Sequence, residues 1–297
     1  MSLQRVTLLG GTGFVGRALA ARLAAEGVAV RVVARNAHTA TDLPEGVGAL
    51  AADVRDARAV RRALADANAV VYLPGCVTGR SESPFRELHV NAPRACAEQA
   101  ATEGVTRFVY VSALGVRRDA PSHADRTKAE GERAVAAVFP DATVVRAGLT
   151  LGAGDHFATP LADAMRRYPL LPVLGPGTRI QPLHRDDLVA ALTAAMRRDD
   201  TNGRTYEAGG PTTLSMHALV KAVRRAAGAH CWLPPLPQGL AMAAGALAEL
   251  APTPRFCRDQ VRLMRTDKVV RGDLPTLDRL GITPRDPVAD LDAFLAV

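Results

Sequence analysis

The chain has 297 residues, 48% of them hydrophobic and 23% charged, with 37 Lys and Arg against 30 Asp and Glu and a net charge of +7. That length allows one large domain or two interleaved lobes, and the composition is that of a globular protein and not of a disordered or fibrous chain. The basic residues form no dense Lys/Arg block, which argues against nucleic acid as a partner, and four scattered cysteines (Cys76, Cys96, Cys231, Cys257) without Cys-x-x-Cys suggest neither a metal site nor a disulfide scaffold.

Residues 5–10, RVTLLG, are a short apolar run and predict a buried strand. Residues 13–26 follow with Val15, Leu19 and Leu23 on one helical face, ending at Gly27. Residues 28–34 (VAVRVVA) and 48–53 (GALAAD) predict the second and third strands, and 56–66 a helix. AVVYLPG (69–75) predicts a fourth strand stopped by Pro74. Residues 85–104 predict a helix that tolerates Pro93 only with a kink or an early restart. A strand at 105–113, a helix at 122–138 and a strand at 142–148 complete the series. This alternation predicts a parallel sheet wound on both faces, and unbroken apolar strands fit burial on both sides. Beyond about residue 150 the rhythm loosens and prolines cluster, as in YPLLPVLGPG and WLPPLP. That half predicts a smaller lobe over the strand ends, where such sheets bind ligands. The expected division is residues 1–150 and 151–297, with 180–210 returning to the main sheet. No charged-then-apolar leader is seen, and the apolar window 239–250 is too short and glycine-rich to span a bilayer, so the chain is expected to be cytoplasmic.

Gly10, Gly13 and Gly16 stand three apart, directly after a strand and at the start of a helix. The first glycine permits a tight turn, the second lets backbone approach a pyrophosphate, and the third lets helix pack on strand. The helix N-terminus then offers free N–H groups to the phosphates. About 20 residues further on, an acidic residue would hold the ribose of NAD. Arg35 stands there instead, in VVARNA, and the next carboxylate is Asp42. A guanidinium suits a 2′-phosphate through charge-assisted bonds, so the expected cofactor is NADP(H) in preference to NAD(H).

In combination, these motifs resemble the extended short-chain dehydrogenase/reductase superfamily. The loop GGTGFVG matches its glycine motif, ADV with Asp53 its adenine-contacting acid, and LPG (73–75) the turn lining the adenine ribose. VRAGLTLGAGD (145–155) resembles the stretch beside the nicotinamide, with Ala147 in place of proline, and IQPLHRDDLVAAL (180–192) resembles a further segment. The resemblance implies an α/β fold: a Rossmann-type doubly wound parallel sheet with a smaller C-terminal α+β lobe. It implies cofactor contacts from Gly10, Thr12, Gly13, Phe14, Val15 and Gly16, then from Arg35, Asn36, Asp53 and Val54. Leu73, Pro74, Gly75, Val111, Ser112, Lys128, Ala147, Gly148 and Leu149 complete that set. More narrowly, YVSALGV, KAEGERAV and RTYEAGGPTTLSMHALV resemble an atypical branch that includes the NAD(P)H-binding accessory subunit of respiratory complex I. Members of that branch bind NADPH, generally lack the superfamily's active site, and are associated with complex I and quinone metabolism.

The superfamily's catalytic pair is Tyr-x-x-x-Lys, whose spacing puts both side chains on one helix face. Lys128 is in place, but Ala124 stands where the tyrosine would be, and Ala113 where the catalytic hydroxyl after the fifth strand would be, with Ser112 one residue earlier. Alanine has no proton to give. His123 is turned about 140° from Lys128 on an ideal helix, although a helix start near Ser122 could swing it inward. Asp125 could pair with Lys128, Tyr110 reads as core, and His184 with Asp187 lies in the segment that lines the substrate mouth in relatives. In the C-terminal part, Arg255, Arg258, Arg262 and Arg265 recur on one helical face, compatible with a solvated basic helix or with a contact to anionic lipid or a membrane complex.

Three readings share this fold and cofactor. One is an NADPH-binding accessory, assembly or sensing protein near complex I or quinone biosynthesis, peripheral to the inner membrane, with little turnover. Another is an NADP-dependent oxidoreductase or epimerase that uses Lys128, alone or with His123 or His184, on a small hydrophobic or quinone-like ligand. A third is an NADP(H) redox sensor.

Overall fold

The computed structural model describes residues 3–37, 43–251 and 256–296. β1 (Arg5–Leu9) leads into α1 (Phe14–Ala25), β2 (Ala29–Ala34), β3 (Val47–Ala51), α2 (Ala57–Leu64) and β4 (Ala69–Tyr72). α3 (Glu82–Arg86), a π-helical turn (Glu87–Asn91) and α4 (Ala92–Thr102) run on from one another without a break, and β5 (Arg107–Ala113), α5 (His123–Val138) and β6 (Thr143–Ala147) follow. Then come β7 (Thr150–Leu151), α6 (Ala158–Arg167), β8 (Arg179–Ile180), β9 (Leu183–His184), α7 (Arg185–Arg197) and β10 (Thr205–Ala208). β11 (Leu214–Ser215), α8 (Met216–Ala226), α9 (Gln238–Ala248), α10 (Arg258–Leu263) and α11 (Leu291–Leu295) complete the chain.

Seven strands form one parallel sheet in the order β10-β6-β5-β4-β1-β2-β3. The pleat sends neighbouring residues to opposite faces, and both faces of the central strands are buried, whereas the edge strand β3 is largely exposed. Leu8, Val32, Val71 and Val109 pack with Leu19, Leu23, Leu188 and Leu192 of α1 and α7. Leu9, Val33, Tyr72, Phe108 and Tyr110 pack with Val60, Cys96 and Val135 of α2, α4 and α5. Two-sided burial is why these strands read as continuous apolar runs. The protein is therefore an α/β Rossmann-type fold, with a mixed C-terminal region around a third core of Ala158, Ala162, Met165, Leu219, Val223 and Leu291.

The kink expected at Pro93 takes the form of the π turn. Proline has no N–H, and its ring clashes with the carbonyl four residues back. That carbonyl is His89, and it accepts from the Tyr110 hydroxyl at 2.9 Å. The Leu88 carbonyl, which a π turn would pair with residue 93, accepts from the Tyr72 hydroxyl at 2.8 Å. Two tyrosines from adjacent strands thus satisfy the two acceptors that Pro93 orphans.

The C-terminal arginines do not form the single helical face that their spacing suggests. α10 is a short helix, with Arg258 forked on Glu249 and Arg262 directed at Asp259 and His123, leaving Arg265 exposed. Arg255, like Asp42, lies outside the described residues. No helix among the described residues is long and apolar enough to cross a membrane.

Candidate functional site

A cleft of about 720 Å³ opens at the carboxyl end of the sheet, at β1 and β4, where the strand order reverses. Its floor is the turn from β1 to α1. Gly10 has φ +79°, a left-handed value, and donates its N–H to Val33 of β2 at 2.7 Å. Gly13 is the N-cap of α1, and a Cβ there would meet only the Gly10 carbonyl at 3.4 Å, so the backbone stays bare. At Gly16 a Cβ would lie 2.6 Å from Gly11 Cα, so the helix rests directly on the turn. The first turn of α1 has no side-chain cap. Its free N–H groups and positive dipole end make the cleft floor an anion site of the kind a pyrophosphate requires. Gly11 escaped the spacing argument, yet a Cβ on it would stand 2.8 Å from the Val32 side chain.

At one end the cleft is lined by Arg35, Asp53 and Val54, with Arg55 beside them. Arg35 and Asn36 are exposed at the end of β2, and Arg35 has no hydrogen bond or ion pair among the described residues. Asp53 is gripped by Arg55: Nε reaches Oδ1 at 2.9 Å and Nη2 reaches Oδ2 at 2.5 Å. Those bonds outweigh partial burial and hold the Asp53 carboxyl down at about 2.

At the other end lie Leu73, Pro74, Gly75, Cys76 and Val111. The Lys128 ammonium sits behind this wall. It donates to the Val111 carbonyl at 2.7 Å, stands 5.0 Å from the centre of the Tyr110 ring, and lies 3.5 Å from where a Cβ on Gly75 would be. Desolvation pushes its pKa down to about 8, against the opposing pull of Glu132. The approach of α5 that brings Lys128 here depends on Gly131, where a Cβ would fall 1.8 Å from the His89 carbonyl.

His89, absent from the sequence-based set, organises the same turn. The Cys76 N–H can only donate, so at 3.1 Å it assigns His89 Nε2 as an acceptor and Nδ1 as the protonated nitrogen. Nδ1 then donates to Thr127 Oγ1 at 2.9 Å, and that hydroxyl donates onward to the His123 carbonyl at 2.7 Å. Burial, and then the nearby Lys128 charge, push the His89 pKa down to about 3, so the imidazole is neutral. A lone histidine in a helical run carries no signal of this role.

Residues 10–150 match a family model described as NAD(P)H-binding. NADH dehydrogenase (ubiquinone) 1 alpha subcomplex subunit 9, mitochondrial, of Rattus norvegicus is 30% identical, covering 94% of this chain and 76% of its own. The chain belongs to the NAD(P)H-binding atypical short-chain dehydrogenase/reductase and epimerase superfamily. A ceramide reductase of Caulobacter vibrioides is 33% identical, covering 65% of this chain and 61% of its own. The fold also matches UDP-glucose 4-epimerase of Thermotoga maritima with a TM-score of 0.73 and 16% identity, over 99% of this chain and 98% of that one. As a member of this superfamily the protein binds an NAD(P) dinucleotide, and the bare glycine turn with its uncapped helix end fits that group.

The structure does not bring all of the sequence-predicted residues to the cleft wall. Ala147 and Gly148 sit where β6 passes into the second lobe, with Gly148 N–H on Ala208 and a Cβ position 2.4 Å from the Gln181 carbonyl. Leu149 packs against the C-terminal core. Ser112 is buried, and its hydroxyl has no hydrogen-bond partner among the described residues. Ala113 pairs in register with Ala147.

Ala124 lies in the buried first turn of α5. The Asp259 carboxylate from α10 accepts from the N–H groups of His123 (2.7 Å) and Ala124 (3.1 Å). Asp125 does not pair with Lys128; it meets the Lys268 ammonium at 2.5 Å, because its side chain faces the C-terminal segment. His123 does not swing toward Lys128 either. Its Nδ1 lies 2.8 Å from Glu82, and its ring stacks on Phe85. His184 is buried as the N-cap of α7, accepting from Asp186 N–H at 3.1 Å, with its ring against Phe294. Burial lowers its pKa, and Arg285 adds to the effect.

Proposed function

We propose that the protein holds NADP(H) as a resident ligand with little or no turnover, and serves as an accessory, assembly or sensing component of a respiratory or quinone-metabolising assembly. The observation that carries this reading is the buried methyl group of Ala124 on a helix turn whose N–H groups Asp259 has already claimed. A bound nicotinamide supplies or accepts a hydride; the chain must supply the accompanying proton, and position 124 has none to give. His123 and His184 are committed to Glu82 and to the α7 cap. Lys128 keeps its place behind Gly75 and Val111, which supports a role in holding the nicotinamide ribose. Arg35, beside the adenine end and with no hydrogen bond or ion pair among the described residues, supports NADP(H) over NAD(H). The name of the rat relative supports association with complex I, and with it a peripheral position at the inner membrane.

A second reading, an NADP-dependent reductase or epimerase working through Lys128 alone, is favoured by the lowered Lys128 pKa. At about 8, a fraction of the amine is free near neutral pH and able to exchange a proton. One experiment separates the two. The purified protein is expected to carry NADPH, and adding quinones or carbonyl compounds is expected to oxidise it no faster than buffer does. Turnover that disappears in Lys128→Ala would overturn the non-catalytic reading.

A further inference from the structure

Arg55 was not part of the sequence-based site, yet it shares the adenine end of the cleft with Arg35 and Asp53. Its position follows from the start of α2. Asp53 Oδ1 accepts from the Arg55 N–H at 3.0 Å, closing a two-residue turn that folds the Arg55 side chain back on the same carboxylate. Both Asp53 oxygens are thereby engaged by one guanidinium. Asp56, next in sequence, caps α2 by accepting from the N–H groups of Arg58 and Ala59, so the turn between Asp53 and the helix is fixed at both ends.

The electrostatic consequence concerns phosphate. A 2′-phosphate brings close to two negative charges to the end of the cleft where Asp53 already holds one. Like charges at such range oppose binding. Arg55 forked on Asp53 makes a locally neutral pair, leaving Arg35, which acts on Asp53 only through space and has no hydrogen bond or ion pair among the described residues, as net positive charge. We infer that Arg55 is a specificity-determining residue that cancels the Asp53 charge, so that the adenine end of this cleft admits a 2′-phosphorylated nucleotide. The inference rests on the NADP(H) reading above and adds to it the residue that keeps the acid after β3 from rejecting the phosphate. Asp53 does not discriminate in this way against NADH, which has no charge at that position.

The test is a set of dissociation constants for NADPH and NADH, with 2′,5′-ADP and 5′-ADP as fragment probes. It compares the parent chain, Arg35→Ala, Arg55→Ala, Asp53→Asn and the double variant Arg55→Ala/Asp53→Asn. The Arg55–Asp53 pair is half exposed, so folding is expected to survive these changes. Arg55→Ala should weaken NADPH and 2′,5′-ADP by about tenfold while moving NADH and 5′-ADP less than about twofold. Adding Asp53→Asn to Arg55→Ala should restore most of the lost NADPH affinity, because no charge remains to be cancelled. Raised ionic strength should shrink the Arg55→Ala effect. The inference is overturned if Arg55→Ala leaves the NADPH/NADH ratio unchanged, or if the double variant binds NADPH no better than Arg55→Ala. Failure of the parent reading looks different: the unsubstituted protein would prefer NADH, or Arg35→Ala would leave NADPH binding intact.

Discussion

His89 is a buried imidazole whose neutrality is structural. Its Nε2 must stay unprotonated to accept from Cys76, and its pKa stands at about 3 in place of the ordinary 6.5. Between those values the unfolded chain takes up a proton that the folded chain refuses. The stability this group contributes is therefore complete above about pH 6.5 and is lost as pH falls toward about 3. Replacing it in His89→Gln is expected to flatten the plot of unfolding free energy against pH in that window by up to one proton, measured by urea melts across it. Lys128 acts in the same sense at higher pH. Its folded pKa of about 8 lies below the usual 10.5, so stability rises with pH between the two. Neither group is legible as a perturbed site from sequence, because its shift comes from burial by residues distant along the chain.

At the scale of elements, the helical run from α3 through α4 shows what sequence reveals and what it leaves out. Pro93 announces a distortion. Its form depends on the hydroxyls of Tyr72 and Tyr110, whose strands lie 16 and 21 residues from the carbonyls they serve. Tyr110→Phe is expected to destabilise the fold by about 1–3 kcal/mol, because the buried His89 carbonyl then lacks its hydrogen-bond donor, and the loss is read by chemical denaturation. The strands themselves are legible, since two-sided burial writes itself as continuous apolar runs. The glycine turn is equally legible, because Gly10, with its left-handed φ, and Gly16, packed against Gly11, meet backbone demands that other residues do not. The Asp53–Arg55 fork is not, since nothing in a local pattern says that an arginine two residues on will fold back over the acid.

At the scale of the whole molecule, the C-terminal part of the chain completes the parallel sheet. The parallel sheet draws its edge strand, β10, from beyond residue 200, where Thr205 and Ala208 pair with Val144 and Ala147. α10 reaches across to cap α5 through Asp259, and Lys268 reaches α5 at Asp125. Sequence alone shows alanine at position 124, but not that a carboxylate 135 residues away would close over the same helix turn. Asp259→Ala is expected to cost about 1–3 kcal/mol by stranding two N–H groups, and to weaken dinucleotide binding by loosening the helix that carries Lys128. Thermal melts with and without NADPH check both effects, the second as a smaller ligand-induced rise in the midpoint.

The Asp259 cap also ties two equilibria together. α5 bears Lys128, behind the cleft wall at Gly75 and Val111, and is held at its tip by α10, which packs against α9, and α9 presents Leu240 and Leu247 to the outside. If α5 holds the nucleotide through Lys128 as proposed, a protein that grips α9 and displaces α10 is expected to change how firmly it does so. Thermodynamic reciprocity then requires the nucleotide to change the grip of that protein by the same factor. A dinucleotide titration would then be audible at a surface that never touches the dinucleotide.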